Sequence, residues 1–266
     1  MAYTYRERRY YCGDYLEVDM FPVFPVAKSR SKKKNPTSEV QQKLNEHNAE
    51  QKLVRLLNAN FTSEDIEIHL TYANENLPQT DEEAARDIQN FLRRVKRLRK
   101  KNDLPDLKYI CVAEGGTEGK RYHFHVTMNG GLDRDELEKL WGFGYANSRR
   151  LQFNENGVEG LARYITKQFR EKKEGGETIF RKRWTASKNL VNPPPKDRDG
   201  RISAKKVKAL AEESYGFSFE NLYPGYSFAS CKPFHNDVNG GYYLVVRLYK
   251  DRAKLDNKKR KRKGGG

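Results

Sequence analysis

The sequence predicts an α+β fold, and three observations carry that expectation. Ile66, Ile68 and Leu70 alternate with Glu67, His69 and Thr71, the two-residue period of a half-buried strand. Ile88, Phe91, Leu92, Val95 and Leu98 repeat at helical spacing, with arginines and lysines filling the intervening positions. Two further strand-like runs, 107–114 (LKYICVAE) and 122–128 (YHFHVTM), flank the glycine-rich stretch 115–120 (GGTEGK), which reads as an antiparallel hairpin.

Taken from the N-terminus, residues 1–27 are rich in Tyr and read as an extended segment interrupted by prolines. A basic linker, 29–34 (SRSKKK), precedes a helix over about 39–57, whose few apolar anchors predict shallow packing. Thr80 followed by Glu83 is a capping box that starts the helix carrying Ile88 to Leu98. Residues 133–140 read as a short helix, 147–153 as a strand, and 158–172 as another helix. Glycines at 175–176 and prolines at 193–195 punctuate a basic stretch, 203–214 forms one amphipathic helix, and 242–249 is a late strand. The tail 258–263 (KKRKRK) followed by three glycines reads as disordered; a nuclear signal is the alternative. The expected organisation is an N-terminal extension and linker (1–60), a central domain (61–175), an accessory region (176–257) and the basic tail (258–266).

Composition narrows the class of function. A mean hydropathy of −0.98 and the lack of a long apolar run argue against a membrane protein. The N-terminus lacks the apolar stretch of a secretory signal. Three widely spaced cysteines without a CxxC pair indicate neither a disulfide framework nor a cysteine zinc site, so a reducing cytoplasm is expected. The 52 Lys and Arg residues against 36 Asp and Glu give a net charge of +16, which predicts attraction to a polyanion. Sixteen tyrosines can supply stacking surfaces for unpaired bases.

The chemistry concentrates in a few residues. His123 and His125 are two of only five histidines, and on a strand they share a face with Thr127 while Phe124, Val126 and Met128 point the other way. Two adjacent imidazoles can chelate one divalent cation. Glu114 ends the preceding strand, so the hairpin brings a carboxylate beside them; Glu118 lies mid-loop and is less well fixed. Such a mixed donor set leaves positions open for phosphate and water and suits Mn²⁺ or Mg²⁺. Downstream, Tyr164 and Lys167 lie three apart on the expected helix, so a phenol and an ammonium can address one phosphate. Lys120, Arg121, Arg149, Arg150 and Arg163 lie close to these motifs and are the candidate contacts to nucleic-acid phosphates.

In order, Ile68-His69-Leu70-Thr71-Tyr72, His123-Phe124-His125 and Tyr164-Ile165-Thr166-Lys167 resemble the three motifs of the HUH endonucleases, over roughly residues 65–172. The resemblance is closest to single-tyrosine rolling-circle replication initiators of phages and plasmids, since the two-tyrosine pattern is absent. It implies a nucleotidyl-transferase-like α+β fold whose central antiparallel sheet has the HxH strand in its middle and helices packed on it. It implies that His123, His125 and Glu114 bind the metal. Tyr164 would attack the scissile phosphate of single-stranded or hairpin origin DNA to give a 5′-phosphotyrosine, with Lys167 neutralising the phosphate. A host helicase and polymerase would be partners, because no P-loop GxxxxGK[ST] is present, and the host bacterial cytoplasm would be the location. The alternatives are a transposase or relaxase of the same superfamily, and a non-catalytic basic nucleic-acid-binding protein. An iron oxygenase would need HxD with a distant histidine, and His123-Phe124-His125 does not fit it.

Overall fold

A computed structural model of the chain describes residues 3–24, 39–115, 121–153, 184–213, 216–237 and 239–250. The chain opens with strands β1 (Thr4–Cys12) and β2 (Tyr15–Val23) and helix α1 (Glu39–Asn60). It continues through β3 (Ile66–Thr71), a 3-10 turn at Asn74–Asn76, α2 (Asp81–Lys101), β4 (Tyr109–Glu114), β5 (His123–Met128), α3 (Arg134–Lys139), β6 (Ala146–Arg150) and β7 (Thr185–Ala186). It ends with β8 (Lys196–Asp199), α4 (Ala204–Glu213), α5 (Gly216–Leu222), β9 (Tyr226–Asn236) and β10 (Gly241–Lys250). Two compact units result, and the fold is α+β with two antiparallel sheets. The expected helix at 158–172 and the basic tail lie outside the described residues.

The first unit joins the chain before residue 60 to the chain after residue 191. Its five-stranded sheet runs β8-β1-β2-β10-β9, every pairing antiparallel. The two ends of the sequence, which composition separates into an extension and an accessory region, therefore share one sheet. Residues 4–23 form a hairpin, where the sequence suggested only an extended segment. The turn runs through Gly13, whose φ of +64° and whose approach to the Asn58 carbonyl leave no room for a side chain. The hairpin is hard to read in the sequence because its inward positions include carboxylates. Glu7 is buried against Arg9, Arg201 and Tyr223, and Glu17 against Tyr15 and Arg55. Burial of a charge is tolerated only with such partners, and it breaks the apolar alternation. Leu16, Val18, Met20, Leu244, Val246 and Leu248 pack against Val207 and Leu210 of α4 and Phe219 of α5. Helix α1 packs more deeply than its composition suggests, since Leu53, Val54 and Leu57 are fully buried.

The second unit carries residues 60–153 and 184–191 among those described. Its sheet order is β6-β3-β5-β4-β7, all antiparallel, so the HxH strand is central as expected. One face is apolar: Ile66, Ile68, Leu70, Phe124, Val126, Met128 and Cys111 bury themselves against Ala84, Ile88, Phe91, Leu92 and Val95 of α2. Trp141 completes this layer, its ring edge-on to Tyr72, Phe91 and Phe124, and its indole N–H donates to the Thr71 carbonyl at 2.8 Å. Thr80 caps α2 by accepting from the Glu83 backbone N–H, while the Glu83 carboxylate accepts from Gln79 N rather than from the cap itself. At the far end Arg99 turns inward and donates to the carbonyls of Pro105, Asn129 and Gly130. Asp133 caps α3.

Candidate metal centre

The sheet's second face carries the polar residues, and strand register decides which of them meet. In β3 and β5, His69 stands directly opposite His125 and Thr71 opposite His123. On the other flank Glu114 of β4 stands opposite His123 and Val112 opposite His125. Directly opposed residues of an antiparallel pair share a face with Cβ atoms roughly 5 Å apart. Three imidazoles and a carboxylate are thereby collected from three adjacent strands. The tight exit from β4 depends on Gly115, whose φ is +91° and where any Cβ would strike the Arg121 carbonyl.

His69, His123 and His125 each offer a ring nitrogen, and the three atoms lie within 4.8 Å of one another. The rings of His69 and His125 stack at 4.4 Å, with that of His123 edge-on to both. His123 Nδ1 donates to the Arg121 carbonyl at 3.1 Å, which turns Nε2 toward the Glu114 carboxylate 2.6 Å away. The same Glu114 oxygen lies 3.6 Å from His125 Nε2. On the opposite edge of its ring, His125 Nδ1 faces the buried Glu67 at 3.5 Å, and Glu67 in turn accepts from Arg149 at 2.7 Å. A ring nitrogen backed by a carboxylate is the outer-shell arrangement that orients metal-binding imidazoles.

The electrostatics suit a cation. Burial raises the Glu114 carboxyl, but hydrogen bonds from His123 and His125 outweigh it and hold the pKa at about 2. Burial raises Glu67 as well, and its bonds to His125 and Arg149 overcome that, leaving it below the usual carboxylate value. Burial, helped by the charges of His125 and His123, drives His69 down to about 4, so its ring is neutral near pH 7. Burial lowers His125, yet its bonds to Glu114 and Glu67 prevail and raise it. One observation tests whether a metal fits. His69 Nε2 is buried with no hydrogen-bond partner among the described residues. A buried polar atom left so is costly, and coordination to a cation would satisfy it. The donor set fits a divalent metal, and an adjoining cavity of about 160 Å³ lined by Glu67, His69, His125, Asn147 and Arg149 leaves space beside it.

Of the residues singled out in the sequence, His123, His125 and Glu114 come together. His69 is the residue that the spacing of motifs missed. Its alternation in β3 placed it on a polar face, but only the pairing of β3 with β5 puts it against His125. Arg149 joins the centre through Glu67, whereas alternation turns Arg150 to the other face, where it donates to the Glu64 carbonyl. Arg121 is exposed and donates to Asn74. Tyr164, Lys167, Lys120 and Arg163 lie outside the described residues.

Comparison with known families now bears on the same segment. Residues 66–169 match the family model for the replication-associated protein ORF2. The match starts at β3 and takes in the whole histidine cluster, and it supports a replication-initiator family for this segment, which is well under half of the 266 residues. No curated protein and no solved structure matches the chain. Among the described residues, no helix is long and apolar enough to cross a membrane.

Proposed function

We propose that this protein is a rolling-circle replication initiator of the single-tyrosine HUH type, which nicks and rejoins single-stranded origin DNA in the host cytoplasm. The observation that carries the proposal is the collection of His69, His123, His125 and Glu114 on one sheet face, inside the segment similar to replication-associated proteins. Residues 61–175 form the endonuclease domain, 1–60 and 176–257 accompany it, and 258–266 is the basic tail. His123 and His125 hold the cation with Glu114, and His69 completes the donor set. Bound Mn²⁺ or Mg²⁺ would polarise a phosphate oxygen and offset the charge that builds up on it. Glu67 orients the His125 ring, and Arg149, which screens Glu67, borders the cavity where a phosphate would enter.

Tyr164 is the nucleophile in this reading. Its phenolic oxygen loses its proton and bonds to phosphorus as the bond to the 3′ oxygen breaks. The 3′ oxygen takes up a proton and leaves as a hydroxyl that a host polymerase can extend, while the 5′ phosphate stays on the tyrosine. Rejoining runs the same exchange backwards. Lys167, three residues after Tyr164 in the sequence, stabilises the phosphate charge. Lys120, Arg121, Arg150 and Arg163 contribute positive charge along the path of the strand.

The test is incubation of the protein with labelled single-stranded oligonucleotides and Mn²⁺. A covalent conjugate should form, vanish with EDTA, and be absent for Tyr164→Phe while DNA binding persists. A conjugate that survives Tyr164→Phe removes that residue from its role. No conjugate under any condition leaves only a basic binding protein.

A further inference from the structure

We infer that the exposed face of α2 is a second nucleic-acid site, which takes the phosphate backbone of duplex DNA without reading its sequence. Helix α2 has one buried stripe, Ala84, Ile88, Phe91, Leu92, Val95 and Arg99, which seats it on the apolar face of the sheet. Its last three turns direct five cations outward: Arg93, Lys96, Arg97, Lys100 and Lys101 are all exposed. These positions follow one another at intervals of three and four, so they form a single stripe. Among the described residues none of the five stands in an ion pair, in contrast to Arg149, Arg6 and Arg8, each matched to a carboxylate. Uncompensated charge on one stripe is not needed to hold the helix, whose packing comes from its other side.

The stripe borders a groove. A cavity of about 1030 Å³ runs between the end of α2 and the segment after β7, with Lys96 and Lys100 on one wall and the exposed Lys188 on the other. Asp103 and Asp106 sit at its lip, so the positive wall is the helix side. From residue 93 to 101 the stripe is about 12 Å long. One DNA strand presents a phosphate every ~3.4 Å along the duplex axis, so the stripe spans roughly three or four phosphates. The ligand class follows from what is missing as well as from charge. The outward positions of these turns hold no aromatic residue, so unpaired bases would find nothing to stack on, and the contact is backbone alone.

This surface lies on the reverse of the sheet from the histidines, because α2 covers the apolar face and the imidazoles project from the other. It does not depend on the nicking chemistry. A duplex held here would anchor the protein beside the single strand that the proposed centre acts on.

The experiment measures binding of a blunt DNA duplex of about two helical turns by fluorescence anisotropy across a salt series, with EDTA present throughout. The variant Lys96→Gln, Arg97→Gln, Lys100→Gln, Lys101→Gln should reduce the slope of log K against log salt by about 3, and affinity more than ~10-fold at moderate salt, since each lost phosphate contact removes about 0.9 from the slope. Conjugate formation on single strands should remain, which separates this site from the proposed nuclease. Lys188→Gln, across the groove, should reduce the slope by about one, and the charge-conserving Lys96→Arg, Lys100→Arg, Lys101→Arg variant should keep it. Unchanged duplex affinity in the quadruple variant overturns the proposal and leaves an acidic protein surface as the occupant. An equal loss for a single strand and for the duplex overturns the assignment to duplex.

Discussion

Replacing Glu67 by Gln isolates what a residue that touches no metal does for the centre. Glu67 lies 3.5 Å from His125 Nδ1 and 2.7 Å from Arg149, and it is almost fully buried. At 3.5 Å, with an effective dielectric near 20, a unit charge pair attracts by about 4–5 kcal/mol, an upper bound that desolvation erodes. Losing an outer-shell carboxylate of this kind typically weakens metal binding by about 10–100-fold, or ~1.4–2.7 kcal/mol. Two effects must be kept apart. The carboxylate orients the imidazole and raises its basicity, which favours metal, but it also raises the His125 pKa and so strengthens proton competition. Titration calorimetry with Mn²⁺ at about pH 8, where the proton no longer competes, should therefore show the full loss, and at about pH 6 a smaller one. Arg149→Gln is the control. It removes an exposed partner while keeping the carboxylate, and exposed pairs contribute only about 0–1 kcal/mol. If Glu67→Gln bound Mn²⁺ as the parent does at both pH values, the outer-shell role would be refuted.

Three other outcomes can be checked. His69→Gln and Glu114→Gln should each weaken Mn²⁺ by at least ~10-fold in the same titration; a variant with parental affinity is not a ligand. In the metal-free protein, His69 is held near pKa 4 against an ordinary 6.5, so the folded state resists a proton that the unfolded chain accepts. Its contribution is intact above about pH 6.5 and is lost as pH falls toward 4, by about 1–3 kcal/mol. His125, with a raised pKa, acts in the opposite sense. Urea unfolding should find that His69→Asn loses less stability than the parent between those pH values, and an equal loss would contradict the assignment. Phe124, fully buried between the histidines and packed on Trp141 and Tyr72, should cost about 3–5 kcal/mol as Phe124→Ala, lowering the Tm of its unit by roughly 10–20 °C. A Tm within about 3 °C of the parent would show that the site strand is not held by this layer.

Much of the second unit was legible without coordinates. The alternation around His69, the Thr80 cap, the apolar stripe of α2, and the HxH pair on one strand face all follow from local periodicity, which the backbone converts directly into direction. Gly115 likewise marked the end of β4. Such signals span a few residues and need no knowledge of the rest of the chain. What they could not give is partnership across sequence. His69 lies 56 positions before His125, and only the register of β3 on β5 sets their rings together. Glu67 and Arg149 meet through the pairing of β3 with β6, and β1 and β2 meet β10 across the whole length of the chain. Buried Glu7 and Glu17 hid that last sheet from hydropathy, because their burial is offset by arginines and tyrosines brought from elsewhere. The sequence determined which residues could face a metal or a helix. Long-range strand pairing, a property of the assembled sheet, decided which of them stand together.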